Sequence, residues 1–314
     1  MLVYEGVMDK FLNKILLGDC IDIMKSIDDN SIATCITDPP YNYEFIGKDW
    51  SINEINRRLE NVNKKNSNTL VKNIPYGSGL AGGVRNERWY KKNRENILTY
   101  RKWVEKWANE LFRILKPGGY ALIFNSTRTA AHIQVAFEEV GFYARDTIVW
   151  RRFSGIPKGL NVERKLEKMG NIESSKWSGW HSALRNEWEA ITLVQKPLIN
   201  NYINTLLQYN VGLLQTKSDL IDGFQSNIIE NINRERKDKF NTHSTVKPVK
   251  LIEKLILLTT PKIDDNIIID PFMGSGTTAL AANNLGINWI GIEINSMYID
   301  IARKRLDLAD NLFK

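Results

Sequence analysis

Residues 267–286 have the sequence IIIDPFMGSGTTALAANNLG, which combines features of a strand, a turn and a helix. The apolar residues 267–269 predict a buried strand, and Thr277–Leu285 predicts a helix that ends at Gly286. Glycines between a strand and a helix allow a ligand to approach the backbone closely, although a tight connection without a ligand is the alternative. The turn lacks the Gly-Lys-Ser/Thr ending of a phosphate-binding loop. Its glycine spacing also differs from the dinucleotide-binding fingerprint, so both kinds of site are excluded.

An acidic residue follows at the end of the next predicted strand, in Gly291-Ile292-Glu293. A carboxylate about 20 residues beyond a glycine turn commonly binds ribose hydroxyls. A solvated charge at a strand end is the alternative. We therefore predict a ligand with a ribose but without a phosphate cradle, and S-adenosylmethionine fits that description.

Short apolar runs elsewhere in the chain predict six further strands, and helical patterns lie between many of them. The runs occupy residues 14–17, 32–37, 120–124, 147–150, 190–194 and 289–292. One helical pattern places Trp103, Trp107, Leu111 and Leu115 on a single face and is predicted to stop at residues 116–119. Strands that alternate with helices predict an α/β fold with a mostly parallel sheet.

Two polar regions, residues 46–100 and 197–242, break this alternation. Connections in such folds are usually only a few residues long. We therefore predict that both regions are insertions with a function or with partial disorder.

The tetrad Asp38-Pro39-Pro40-Tyr41 directly follows the predicted strand Ile32–Thr37. Ligands of open parallel sheets lie at the carboxyl ends of the strands. Consecutive prolines fix φ, and the second has no N–H to engage the carbonyl oxygen. A carboxylate, a rigid carbonyl oxygen and an aromatic ring suit a planar ligand with an NH₂ group. The alternative is a turn that ends the strand.

Gly18-Asp19 also follows a predicted strand, Lys14–Leu17. The carboxylate of Asp19 could accept a hydrogen bond from an adenine NH₂ group. Alternatively, it caps a helix over residues 21–27.

The chain is basic, with a net charge of +7 and a pI of about 9.2, which predicts a polyanionic partner. The charge is local, because residues 57–94 hold ten basic and two acidic side chains, a net +8. Two cysteines are typical of a reducing, cytoplasmic compartment. Together with only three histidines, they provide little material for a metal site. We expect no membrane span and no secretory signal.

The order and spacing of these motifs resemble the beta-class amino DNA methyltransferases over most of the chain. The resemblance rests on Gly18-Asp19-Cys20, the tetrad at 38–41, residues 115–119, residues 186–189 with 193–197, residues 243–248, the glycine turn and Glu293. One departure is Ser244, where the family usually has proline. The resemblance implies a Rossmann-like methyltransferase fold whose seven-stranded, mostly parallel sheet has its last strand antiparallel, plus a recognition insertion.

The resemblance also assigns roles to individual residues. The predicted catalytic residues are Asp38, Pro39, Pro40 and Tyr41. The predicted cofactor-binding residues are Asp19, Asp38, Thr245, Lys247, Asp270, Phe272, Gly274, Gly276, Thr277 and Glu293. From the basic stretch, we predict that Arg85, Arg88, Lys91 and Lys92 bind DNA, and we expect no metal site.

The implied organisation has three parts. Residues 1–196 form the catalytic part with the basic insertion at about 46–100, residues 197–242 form the target recognition region, and residues 243–314 form the cofactor-binding part. The implied activity is methyl transfer from S-adenosylmethionine to N6 of adenine in double-stranded DNA after base flipping, because Asp before Pro-Pro-Tyr is commoner among the family's adenine enzymes. Methylation of cytosine N4, an RNA target and a non-catalytic nucleic-acid-binding module are the alternatives. The sequence leaves open a homodimer and a cognate restriction endonuclease.

Overall fold

The computed structural model describes residues 10–40, 87–152, 159–217, 224–233, 240–241 and 246–312. Its strands are β1 (Lys14–Leu17), β2 (Ile32–Thr37), β3 (Leu115–Asn125), β4 (Tyr143–Arg151), β5 (Trp188–Gln195), β6 (Ile228–Ile229), β7 (Ile267–Asp270) and β8 (Asn288–Glu293). Its helices are α1 (Cys20–Met24), α2 (Glu87–Ile114), α3 (Ala130–Val140), α4 (Val162–Glu167), α5 (Tyr202–Tyr209), α6 (Val249–Thr259), α7 (Thr277–Leu285) and α8 (Ser296–Leu312). The alternation of strands and helices confirms the predicted α/β class.

The strands form one sheet in the order β1-β8-β7-β2-β3-β5-β4-β6. Neighbouring strands from β1 to β3 run parallel, whereas β5 runs antiparallel to β3. This arrangement confirms a Rossmann-like, mostly parallel sheet.

The sheet differs in two details from the seven strands with the last one antiparallel that the resemblance implies. All seven predicted strands are present, and the eighth is the two-residue β6, which pairs with β4 and is too short to give a sequence pattern. The strand that runs antiparallel to its neighbour β3 is β5, which is the fifth strand along the chain and not the last. In the sheet it lies between β3 and β4.

The boundary between α2 and β3 also corrects the sequence prediction. The pattern predicts that Leu115 lies on the helix face, with a stop at residues 116–119, but the helix ends at Ile114 and Leu115 begins β3. Leu115 is buried and pairs with Ile32 of β2. A buried leucine satisfies a helix face and a central strand equally well, so periodicity alone could not separate the two.

The centre of the sheet is covered on both faces. All six residues of β2 are buried, as expected for a parallel strand with helices above and below it. The apolar cluster on one face joins residues of the sheet to α6 and α7. Because β1, β8, β7 and β2 run parallel, their carboxyl ends lie along one edge of the sheet.

The chain divides into two compact units. One comprises Met1–Pro40, Tyr100–Arg151 and Glu189–Lys314 and contains the sheet. The other comprises Tyr41–Thr99 and Arg152–Trp188. In this second unit, Asn161 and His181 form a β-bridge, and Val162 N–H donates to the Trp180 carbonyl at 3.1 Å. None of the helices in the described part of the chain has the length and apolar character of a membrane span.

Candidate active site

Four carboxylates lie at the carboxyl ends of the parallel strands. Asp38 follows β2, Asp270 ends β7, Glu293 ends β8, and Asp19 lies two residues after β1. Sheet register pairs Leu17 with Glu293 and Asp270 with Gly291, so these groups share the edge where ligands bind in open parallel sheets. The structure therefore brings together residues from both ends of the sequence, as predicted.

Asp38 is paired with a buried lysine. Lys247, just before α6, donates from Nζ to Oδ2 of Asp38. The same Nζ lies 3.4 Å from Oε2 of Glu189 and 4.9 Å from the ring centre of Phe124. The side chains are 8% exposed at Lys247, 22% at Asp38 and 12% at Glu189. One ammonium group thus faces two carboxylates at the end of β2.

The two oxygens of Asp38 are not equivalent. Oδ2 is held by Lys247, whereas Oδ1 is buried and has no hydrogen-bond partner among the described residues. A buried acceptor without a partner is costly unless a ligand satisfies it. Oδ1 is therefore an acceptor that is available to a donor group of a ligand.

The prolines after Asp38 are held by α2. The Tyr100 hydroxyl donates to the Pro40 carbonyl at 3.2 Å. Burial, and then the nearby charge of Asp38, raise the pKa of Tyr100, so its hydroxyl keeps its proton and remains a donor. This bond holds the backbone at Pro40.

Asp270 acts as an anchor at the start of the glycine turn. Its Oδ1 accepts from the Thr37 hydroxyl at 2.7 Å and from Phe272 N–H at 3.0 Å, and its Oδ2 accepts from the Thr278 hydroxyl at 2.7 Å. Burial raises the pKa of Asp270 to about 6 in spite of these three donors. Asp270 thereby joins β2, the turn and the first residues of α7.

Glu293 holds the turn from the next strand. Its Oε2 accepts from Gly274 N–H at 2.8 Å, and its Oε1 accepts from Asn295 N–H at 2.8 Å. Burial raises the pKa of Glu293 to about 7. Each carboxylate oxygen has a second lone pair, so two hydroxyl donors of a ribose can be accepted in addition to the backbone bonds.

The glycines are required by the conformation of the turn. Gly274 has φ 55° and Gly276 has φ 82°, in the left-handed region that favours glycine. A Cβ at Gly276 would lie 2.7 Å from the Cβ of Ala302 on α8. Arg305 fixes the turn further, since its Nη1 donates to the Ser275 carbonyl at 2.6 Å and to the Thr277 hydroxyl at 3.1 Å.

Replacing Gly276 with alanine should destabilise the protein by about 3 kcal/mol, which combines the cost of a left-handed alanine with overpacking. Gly170→Ala is the matched control, because Gly170 has φ 74° but a Cβ added there would meet nothing within 4 Å. We expect the control to lose only about 1 kcal/mol. Urea unfolding of both variants measures the difference, and equal losses would show that the packing against Ala302 is unimportant.

Phe272 contributes an aromatic wall beside the turn. Its ring centre lies 5.6 Å from that of Trp103 and 5.3 Å from that of Trp107. Trp107 in turn packs edge-to-face on Phe137 at 5.2 Å. The partly buried Phe272 is thus held by α2, next to the strand ends.

Asp19 shows the capping geometry that is the alternative to a contact with adenine. Its Oδ1 accepts from Ile21 N–H at 2.8 Å at the start of α1. The cap explains the local structure, and the contact with adenine stays a prediction.

Some predicted site residues cannot be placed. Tyr41, Thr245 and Arg85 lie outside the described residues. The helix α2 contains Arg88, Lys91 and Lys92, but the structure describes only their backbone. Their predicted roles stay predictions. In the part of the chain that is described, no group of three or more His, Cys, Asp or Glu side chains could hold a metal ion.

Sequence reasoning missed three residues of the site. Glu189 ends the motif Asn186–Glu189 and could have been recognised as a polar residue at the start of a buried strand. Tyr100 and Arg305 act through long-range hydrogen bonds to Pro40 and Ser275. Neither gives a local pattern, so only the folded chain identifies them.

Comparison with known proteins gives a consistent result. A family model described as DNA methylase, of the N6/N4 methyltransferase type, matches residues 32–304. The Type II methyltransferase M.HindIII of Haemophilus influenzae is 32% identical over 305 residues, which cover 94% of this chain and 95% of that protein. M.BglII of Bacillus subtilis is 28% identical, with 93% of this chain and 68% of that protein covered.

Solved structures show the same fold. The crystal structure of the M1.HpyAVI–SAM complex superposes with a TM-score of 0.52 at 20% identity and covers 94% of this chain and 98% of that one. The cytosine-N4-specific PvuII DNA methyltransferase superposes with a TM-score of 0.57 at 15% identity and covers 96% of this chain and 90% of that one.

Proposed function

This chain belongs to the N6/N4 DNA methylase family, and from that premise we propose that it methylates adenine N6 in double-stranded DNA with S-adenosylmethionine. Its beta-class resemblance is confirmed by the family match and by the Type II relatives. The observation that carries the proposal is Asp38 Oδ1, a buried acceptor without a described partner at the end of β2. The other strand-end carboxylates lie along the same edge of the sheet.

The donor and acceptor groups of the site suit S-adenosylmethionine. Glu293 accepts the ribose hydroxyls, because each of its oxygens has a lone pair beyond the backbone bond that it already accepts. The left-handed Gly274 and Gly276 keep the turn free of side chains, and Phe272 provides an apolar wall for the methionine side. The SAM complex of M1.HpyAVI, which shares the fold, supports this assignment.

The chemistry follows from the acceptors at the end of β2. S-adenosylmethionine supplies an electrophilic methyl group when it is bound. An adenine amino nitrogen is a weak nucleophile, because its lone pair is delocalised into the ring. Asp38 Oδ1 and the Pro39 carbonyl accept the two amino protons, so the nitrogen becomes more tetrahedral and its developing positive charge is stabilised. The rest of the catalysis is positioning, and the methylated nitrogen releases one proton to water after transfer.

The target base must leave the DNA double helix to reach this edge of the protein's sheet. Base flipping costs a few kcal/mol of stacking and pairing energy. Tyr41 supplies a ring that stacks on the flipped base, which is worth about 1–3 kcal/mol.

Cytosine N4 is the second candidate target, since the PvuII enzyme that shares the fold is cytosine-N4-specific. The same two acceptors serve either amino group. We favour adenine because the tetrad carries Asp38, which is commoner among the family's adenine enzymes.

A methyl-transfer assay tests the enzymatic part of the proposal. Purified protein, duplex DNA and S-adenosylmethionine labelled on the methyl group should give acid-precipitable label that depends on time and on enzyme concentration. Duplex DNA and structured RNA are compared in parallel. DNA binding without any transfer would leave the non-catalytic module as the function, and transfer to RNA alone would change the substrate class.

The basic stretch 57–94 supplies backbone contacts to DNA. Replacing Arg85, Arg88, Lys91 and Lys92 with alanine should weaken binding to all duplexes. Each lost phosphate contact reduces the slope of log affinity against log salt by about 0.9, so we expect a slope flatter by about 3 to 4 units. Sequence preference should stay the same, because phosphate contacts position the duplex without specifying bases.

Fluorescence anisotropy at several salt concentrations measures that slope. A matched control replaces Lys165, Lys168, Lys176 and Lys250, which are exposed lysines of the described chain outside the stretch. An unchanged slope in the quadruple variant would mean that these basic side chains are only solvated and do not contact phosphates.

Residues 197–242 are proposed to read the target sequence. Residues near the start of this region also pack on the sheet, since the Tyr120 hydroxyl donates to the Gly212 carbonyl at 3.2 Å and Thr205 is buried. The exposed Gln208 and Gln215 and the partly buried Gln225 carry amide groups that can read adenine edges. Exchanging residues 197–242 with those of a relative should change the methylated sequence, which sequencing of modified plasmid DNA detects. Unchanged specificity would place recognition elsewhere.

A further inference from the structure

Lys247 is placed on Asp38 by the fold. It immediately precedes Pro248, the N-cap of α6, and α6 packs in the apolar cluster on the sheet. Its side chain is only 8% exposed, and its Nζ lies over the face of Phe124 at 4.9 Å. A lysine is almost never buried to this extent unless it is paired. The ammonium group is thus fixed from three sides, by Asp38, Glu189 and the aromatic ring.

The charges of Lys247, Asp38 and Glu189 argue against a contact between Lys247 and the amino-acid carboxylate of the cofactor. Its Nζ contacts Oδ2 of Asp38 and lies 3.4 Å from Oε2 of Glu189, so two carboxylates already face one ammonium group. A third carboxylate would add repulsion between like charges in a poorly solvated site. Lys247 is better suited to serve Asp38 than to bind the amino-acid end of the cofactor.

The contact with Lys247 fixes which oxygen of Asp38 is left to accept a further hydrogen bond. An unpaired aspartate exchanges its two oxygens by rotation about its last side-chain bond, which is a broad torsion. The hydrogen bond from Lys247 engages Oδ2 and leaves Oδ1 as the acceptor without a described partner.

We propose that Lys247 is a positioning residue for methyl transfer. It holds Oδ2 of Asp38, so that Oδ1 is presented to the amino group of the target base, and Glu189 holds Lys247 in place. This inference rests on the proposed function, because it requires a base whose amino protons are accepted by Asp38.

The first experiment separates the two roles of Lys247. In Lys247→Met, kcat at saturating cofactor and DNA should fall by roughly 10²-fold, the cost of a small misplacement of a reacting group. Calorimetry with S-adenosylhomocysteine should give a Kd within about threefold of the wild-type value. A difference of that size is expected when a replaced residue does not contact the ligand. A rise in Kd of about tenfold or more with an unchanged kcat would overturn the proposal, since it would place Lys247 on the cofactor carboxylate.

Lys250→Met is the matched control, because Lys250 lies three residues later, exposed in the first turn of α6. Neither kcat nor Kd should change in it. Wild-type protein that fails to bind S-adenosylhomocysteine or to methylate DNA would refute the proposed function. With an active wild type, the variants test Lys247 alone.

A double-variant cycle tests whether Lys247 acts through Asp38. If it does, Asp38→Asn with Lys247→Met should be no slower than Asp38→Asn alone, within about threefold. Losses that multiply would show that the two residues act independently and would contradict the inference.

Removing Lys247 leaves two neighbouring carboxylates without their ammonium group, which could impair folding. Lys247→Met with Glu189→Gln removes the repulsion and keeps Asp38. It should be folded by circular dichroism and should still show the loss of kcat at an unchanged Kd. Wild-type kcat in this folded variant would overturn the proposal.

Discussion

Asp38→Ala should lower kcat for DNA methylation by roughly 10²-fold or more, the usual cost of removing a preorganised group that stabilises the transition state. The reason is that Oδ1 is a buried acceptor without a described partner, at the strand end where the base amino group is proposed to bind. Asp38→Asn should be less severe, because the amide keeps a neutral acceptor. The Kd for S-adenosylhomocysteine should change much less than kcat in both variants. Steady-state initial rates at saturating cofactor and DNA measure kcat, and single-turnover kinetics show that the chemical step is affected.

Asp22→Asn provides the matched control for Asp38. Asp22 also pairs with a lysine, Lys25, but its side chain is 73% exposed. Its replacement should leave kcat unchanged. If Asp38→Ala retained wild-type kcat, the acceptor role of Asp38 would be wrong.

Glu293→Ala should weaken binding of the cofactor product by roughly 10²-fold to 10⁴-fold, since two hydrogen bonds from hydroxyls to a charged group are lost, each worth about 1.5–3 kcal/mol. The effect includes some loosening of the turn, because Glu293 also accepts from Gly274 and Asn295 N–H. Calorimetry on the DNA-free protein at pH 8 gives the Kd. An unchanged Kd would mean that the ribose is bound elsewhere.

The same carboxylate predicts the pH dependence of binding. Burial raises the pKa of Glu293 to about 7, so the ligand-free protein holds a proton there below that pH. Ribose hydroxyls donate to the ionised form, so binding releases the proton and affinity should decrease as pH falls from 8 to 6. Glu293→Gln cannot titrate and should show a flatter profile. A wild-type profile as flat as that of the variant would contradict this assignment.

The seven main strands were predictable because each is a short apolar run bounded by turn residues. Ile32–Thr37 and Lys14–Leu17 match their observed bounds. The edge strand β6 has two residues, which is too short for a periodic pattern. The second compact unit was not predicted, because residues 152–188 lie between two predicted strands without a predicted element of their own.

The sequence predicts the position of those site residues that end a strand or directly follow one. Asp38, Asp270 and Glu293 could be placed at a common edge because parallel strands share their carboxyl ends. The partner of Lys247 could not be predicted, since its contact with Asp38 joins residues 209 positions apart. Such pairings depend on the sheet order and on the packing of α6, which no local pattern encodes.

Nucleoside analysis of the methylated product tests the central claim most directly. Plasmid DNA from a host without other methyltransferases is incubated with the wild-type protein and S-adenosylmethionine. The DNA is then digested to nucleosides, which are separated by liquid chromatography and identified by mass spectrometry. Asp38→Ala protein serves as the control. We predict N6-methyladenine that accumulates with wild-type protein and is strongly reduced with the variant. N4-methylcytosine alone would contradict the adenine assignment, and the absence of any methylated nucleoside would contradict the proposed activity.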